Sequence, residues 1–198
     1  MGFAKLVVFV NALVPLALLA GDAARGRLGA NPIELVLRST GVLTLLFVTL
    51  TLAVTPARKI LRRPGLIKLR RMLGLFAFFY GSLHVLTYLW LDQFFDVRAI
   101  AADVLTRPFI FFGALAYGLM TTLAVTSTQA SIRRLGKRWT QIHKRIYWIA
   151  GLAVVHFWMG VKADTTRPAV FGIVIGLLLL WRYVNRTPRP GMLKDPAS

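Results

Sequence analysis

The three histidines are the side chains of this sequence best suited to bind a metal or carry a proton near neutral pH, and there is no cysteine to share that work. Two of them fall in one stretch, KRWTQIHKRIYWIAGLAVVHFWMG, at residues 137 to 160. His143 lies in its basic first half, and His156 lies in its apolar second half among Val155, Phe157 and Trp158. The third, His84, sits in GSLHVLTY, again in apolar surroundings. An imidazole is costly to bury in such a run, so a functional site that holds a ligand is the default reading. The bland alternative is that each ring hydrogen-bonds across helices and holds nothing.

The elements that must position these rings are read from the apolar pattern. The chain has 198 residues, 57% apolar and 16% charged, too apolar for a soluble domain of this length. Six apolar stretches stand out, at 3 to 21, 35 to 55, 72 to 92, 108 to 126, 146 to 162 and 168 to 184. At about 1.5 Å per residue, each approaches the length that crosses about 30 Å of hydrocarbon, the fifth being short. The fold class expected is therefore an all-α integral membrane protein, a bundle of six transmembrane helices over residues 1 to 185. The proline-rich, polar residues 186 to 198 read as a disordered cytoplasmic tail.

A net charge of +18 would suggest nucleic acid in a soluble protein, but here the basic residues fall in short blocks between apolar runs, so no nucleic-acid partner is expected. Placed on the six spans, 18 of the 25 Lys and Arg fall on one side, and all but one of the seven acids fall on the other. Basic loops mark the cytoplasmic side, which puts both termini inside. The first stretch, with Lys5 and LLAGDAA, competes as a cleaved secretory signal; its removal would leave five spans in the same orientation. Pro15 predicts a kink in the first span, and Pro56, Pro108 and Pro168 are expected at span boundaries. No internal repeat is strong enough to use.

Along these spans His84 and His156 fall at similar depth in the outer half of the bilayer, on spans three and five. Two imidazoles reaching one iron from facing helices is how a bundle holds haem, and without cysteine the haem would be held non-covalently, as a b-type haem is. The helical neighbours of His84, namely Ala77, Tyr80, Gly81, Thr87 and Tyr88, mix small and aromatic residues that leave room for a flat macrocycle or suit ordinary packing. His143 lies 13 residues before His156, about 20 Å along a helix, at the cytoplasmic surface. It suits a second, inner haem, an electron-receiving point or a solvated residue. The matching position before His84 is Arg71, which cannot ligate iron, so a second haem would need a weaker ligand such as water or Met72. Arg70, Arg71, Arg138 and Lys144 could pair with its propionates, although basic inner loops account for them without one. Arg38, in LVLRSTG, either snorkels to the outer interface or neutralises a propionate of the outer haem.

The chain resembles the MsrQ (YedZ) family, the haem-binding membrane subunit of the bacterial protein-methionine-sulfoxide reductase system. The resemblance rests on LGANP at 28 to 32, TGVLTLLFVTLTLAVTPAR ending at Arg58, RRMLGL at 70 to 75, LHVLTY at 83 to 88, TRPF at 106 to 109, TSTQASIRRLGKRWTQIHKRIY at 126 to 147 and HFWMGVK at 156 to 162. It implies a ferric-reductase-like transmembrane domain in the bacterial inner membrane. Electrons would arrive from a cytoplasmic flavin reductase or the quinone pool and leave to a periplasmic molybdopterin methionine sulfoxide reductase that repairs oxidised proteins. Carried over, the haem histidines are His84 and His156, with His143 at a second, inner haem. Where some members carry a histidine shortly before the TG of span two, this chain has Arg38. The resemblance also implies flavin mononucleotide (FMN), although no flavin site is identifiable in the sequence.

The function expected is thus an electron relay with no substrate chemistry of its own. A quinol-oxidising or metal-reducing haem protein is the alternative within redox chemistry. A non-redox transporter or scaffold is disfavoured because the spans hold almost no acidic residues to carry protons or cations.

Overall fold

A computed structural model describes residues 2–185; the tail expected at 186 to 198 lies outside them. The described residues form nine α-helices and no strand: α1 (Gly2–Ala24), α2 (Pro32–Ile60), α3 (Arg70–Leu86), α4 (Val97–Thr106), α5 (Pro108–Val125), α6 (Gln129–Leu135), α7 (Lys137–His143), α8 (Ile146–Gly160) and α9 (Thr166–Val184). A 3-10 segment, Pro64–Leu69, leads into α3, and a π-helical turn, Thr87–Asp92, extends it. Five segments are long and apolar enough to cross a membrane: Gly2–Ala24, Pro32–Ile60, Pro64–Asp92, Pro108–Val125 and Thr166–Val184. The remaining expected span is α8, whose 15 residues cover only about 22 Å at about 1.5 Å each.

Local chemistry sets the helix limits. Asn31 caps α2 by accepting from the Glu34 N–H at 3.2 Å, with Pro32 in the first turn where its missing N–H costs nothing. Asp96 caps α4 by accepting from the N–H groups of Arg98 and Ala99. Pro108 opens α5 and Pro168 lies in the first turn of α9, as expected of boundary prolines. Pro56 departs from that expectation, because α2 runs through it to Ile60.

Two hairpins make the core. α3 packs along α2 and α8 along α5, and α9 lies across α2 and α8. Phe47 of α2 stacks on Phe76 and Tyr80 of α3 at 5.5 and 5.4 Å, beside the fully buried Val48, Leu52 and Ile149. Buried threonines stay satisfied by bonding back to their own helix, Thr49 to the Leu45 carbonyl and Thr51 to that of Phe47.

The outlying helices are tied by polar anchors. Pro15 sits inside α1, and three residues before it the Ala12 carbonyl accepts from Tyr80 Oη at 2.6 Å. Tyr80 is 0% exposed, and Ala12 is the one buried residue of α1. Arg182 of α9 donates to Tyr147 Oη at 2.7 Å, to the Leu52 carbonyl at 2.8 Å and to Thr55 Oγ1 at 2.9 Å, joining α9 to α8 and α2. Tyr88 of the π turn donates to Asp103 of α4, which also pairs with Arg107.

Candidate functional site

His84 stands near the end of α3 and faces α2, where its Nδ1 lies 2.9 Å from the Leu37 carbonyl oxygen. His156 stands on α8 and faces α5, where its Nδ1 lies 2.6 Å from the Phe109 carbonyl oxygen. A carbonyl can only accept, so each Nδ1 carries the proton and each Nε2 keeps a free lone pair. Binding by one nitrogen while the other donates to a carbonyl is the arrangement by which proteins orient metal-ligating histidines.

The two rings meet between the hairpins. Their centres are 6.0 Å apart and their planes are inclined at 84°. Imidazole nitrogen binds a metal at about 2.0–2.1 Å, so two rings on opposite sides of one metal have centres roughly 6 Å apart. Two neutral imidazoles at that separation, in an apolar bundle, have the donor chemistry that would hold a haem iron. No cluster of three or more His, Cys, Asp or Glu side chains exists among the described residues, which disfavours a site built wholly from protein ligands.

His143 stands apart from this pair at the end of α7. Its ring stacks on Trp139 at 4.0 Å, and its Nε2 lies 3.2 Å from Thr126 Oγ1. The Thr126 hydroxyl gives its proton to the Thr122 carbonyl at 2.6 Å, so it accepts from His143 and leaves Nδ1 as the free nitrogen. Burial, and then the positive charge of Arg70, push the His143 imidazolium below its ordinary pKa, partly offset by the bond at Thr126.

The arginine within electrostatic reach of His143 is Arg70; Arg71 is exposed and instead lines an open groove of about 460 Å³ with Lys5, Phe9 and Lys68, between α1 and α3. The guanidinium of Arg38 pairs with Glu34, one turn back on an exposed face of α2. Sequence reasoning missed Leu37 and Phe109, because they act through main-chain oxygens that any residue would supply. The one available signal is spacing: each histidine follows its acceptor by 47 residues.

The sequence of this helical bundle matches a recognised class. Residues 40–154 fit the family model described as the ferric reductase like transmembrane component. Within that class, the Herminiimonas arsenicoxydans protein-methionine-sulfoxide reductase heme-binding subunit MsrQ is 48% identical over 190 residues, covering 92% of this chain and 87% of the relative. The proteins of the same name from Azospira oryzae and Bordetella pertussis are 49% and 46% identical, covering 92% and 96% of this chain and 79% and 93% of theirs. The chain belongs to the MsrQ family.

Proposed function

We propose that this protein is the b-type haem subunit of a methionine sulfoxide reductase system and relays electrons through the membrane to a reductase that repairs oxidised proteins. The observation that carries the reading is the pair of half-buried imidazoles 6.0 Å apart, each with Nδ1 tied to a carbonyl and Nε2 free. The relatives' name, haem-binding subunit, supports it. Haem iron, when bound, supplies a one-electron couple. The protein's part is to present two neutral nitrogens, hold their rings and keep water out with an apolar bundle.

Six helices cross the bacterial inner membrane in this reading, α8 being the short one, with both ends of the chain on the cytoplasmic side. His84 and His156 hold the outer haem. The free Nδ1 of His143, neutral at pH 7, supports a role at the inner face as ligand of a second haem or as the receiving point for electrons. Arg70, within electrostatic reach of His143, takes the propionate role on that side, where Arg71 faces the groove between α1 and α3 instead, and Arg38 is a propionate partner on the outer side. The donor is a cytoplasmic flavin reductase, with FMN as its or this chain's flavin, or the quinone pool. The acceptor is a periplasmic molybdopterin reductase.

The test is the visible spectrum of purified protein, oxidised and then dithionite-reduced. A sharp Soret band with resolved α and β bands is expected; it should be lost in both His84→Ala and His156→Ala and kept at the outer site in His143→Ala. A colourless protein that takes up no added haem sinks the reading.

A further inference from the structure

The two halves of the site repeat one construction, which the sequence alone had not disclosed. Advancing the numbering by 72 carries Leu37, Gly41 and His84 onto Phe109, Gly113 and His156. In each half a histidine on the second helix of a hairpin donates to a carbonyl on the first, and a glycine lies one turn after that carbonyl. A Cβ placed on Gly41 would lie 3.1 Å from both Cε1 and Nδ1 of His84. One placed on Gly113 would lie 2.7 Å from Nδ1, 2.8 Å from Cε1 and 3.3 Å from Cγ of His156.

Neither glycine is there for its backbone freedom, since neither has a positive φ and both lie inside helices, where glycine is less favourable than alanine. Nor is close helix packing the reason, the usual one in membrane bundles. The three atoms nearest each added Cβ all belong to the imidazole ring, whereas at Gly81 they belong to Met120 and Thr44. Gly118, further along α5, would meet nothing within 4 Å.

We propose that Gly41 and Gly113 are positioning residues: each forms a flat seat on which a histidine ring lies against the helix that receives its Nδ1–H. Together the two seats fix the planes of the two rings almost perpendicular. The seats are unequal. At Gly41 an added methyl needs the ring to give by a few tenths of an ångström, while at Gly113 it overlaps the ring atom that makes the 2.6 Å bond to Phe109. Gly113→Ala therefore turns or displaces His156, and Gly41→Ala disturbs His84 less.

The proposal rests on the haem reading above for its spectroscopic readout, and a second readout frees it from that dependence. On ferric haem, near-perpendicular imidazoles leave two iron d orbitals almost equal in energy, which gives a low-spin electron paramagnetic resonance signal with one large-g feature. Wild-type protein loaded with haem should show that feature. Gly113→Ala should lose it to a rhombic or high-spin signal, Gly41→Ala should shift it less, and Gly118→Ala should leave it in place. In haem-free protein, nitrogen NMR of labelled histidine should report His156 as the Nδ1–H tautomer, and Gly113→Ala should lose that state. If Gly113→Ala fails to fold, the same two readouts on Gly41→Ala decide the matter at His84. Wild-type protein that takes no haem overturns the haem reading alone. Unchanged signals and unchanged tautomer in the folded variants overturn the seats.

Discussion

If Leu37 holds the ring of His84 by a hydrogen bond, then removing the ring leaves a cavity that still contains the acceptor. His84→Ala deletes the imidazole and keeps the carbonyl oxygen that lay 2.9 Å from Nδ1, with Gly41 leaving its floor open. The variant is expected to lose the six-coordinate haem spectrum and to regain it with free imidazole, at an affinity near the millimolar range that corresponds to about −4 kcal/mol. Imidazole can restore both the iron bond and the donation to Leu37. 1-Methylimidazole can restore only the iron bond, because the nitrogen facing the carbonyl carries a methyl group. A net hydrogen bond is worth about 0.5–1.5 kcal/mol, so imidazole should bind roughly 2- to 12-fold more tightly, and more if the methyl also collides with the carbonyl. The assay is a Soret titration of His84→Ala with each ligand, corrected by the same titration against free haem in the same detergent. Equal affinity of the two ligands would refute the idea that the Leu37 carbonyl fixes the ring.

Tyr80→Phe removes the 2.6 Å bond from the Tyr80 hydroxyl to the Ala12 carbonyl; a loss of about 0.5–1.5 kcal/mol is expected, read as a lower unfolding midpoint in detergent with the haem bands unmoved. Arg182→Met removes three hydrogen bonds that dock α9, each of the kind worth about 1.5–3 kcal/mol when the donor is charged but not additive. Faster proteolysis in the segment joining α8 to α9, with the wild-type rate regained in Arg182→Lys only in part, would be the signature.

The histidine pair was legible in the sequence because imidazoles stand out inside apolar runs of a chain without cysteine, and depth along those runs put His84 and His156 at one level. The helices were legible for the same reason, since hydropathy marks a span directly. What could not be read was everything carried by main-chain atoms. The acceptors at Leu37 and Phe109 leave no side-chain trace, and the 72-residue correspondence shows itself at too few positions to stand out from a background rich in Leu, Val and Ala. The choice between neighbours was also hidden: whether Arg70 or Arg71 faces His143 depends on how the 3-10 segment Pro64–Leu69 rotates the start of α3. Helix α4 went unread because its ten residues are too short to register as a span.

The division of the site between two hairpins also sets an order of events at the ribosome. Leu37, Gly41 and His84 emerge together with the first hairpin and can make their hydrogen bond at once. His156 follows 72 residues later, a delay of roughly 4 to 14 s at about 5–20 residues per second. Through that interval the nascent chain offers one of the two nitrogens that the proposed haem site needs, and only the docking of α8 onto α5 brings the second. On the proposed reading, synthesis thus contains its own delay before haem loading, set by the 72 residues between the two histidines.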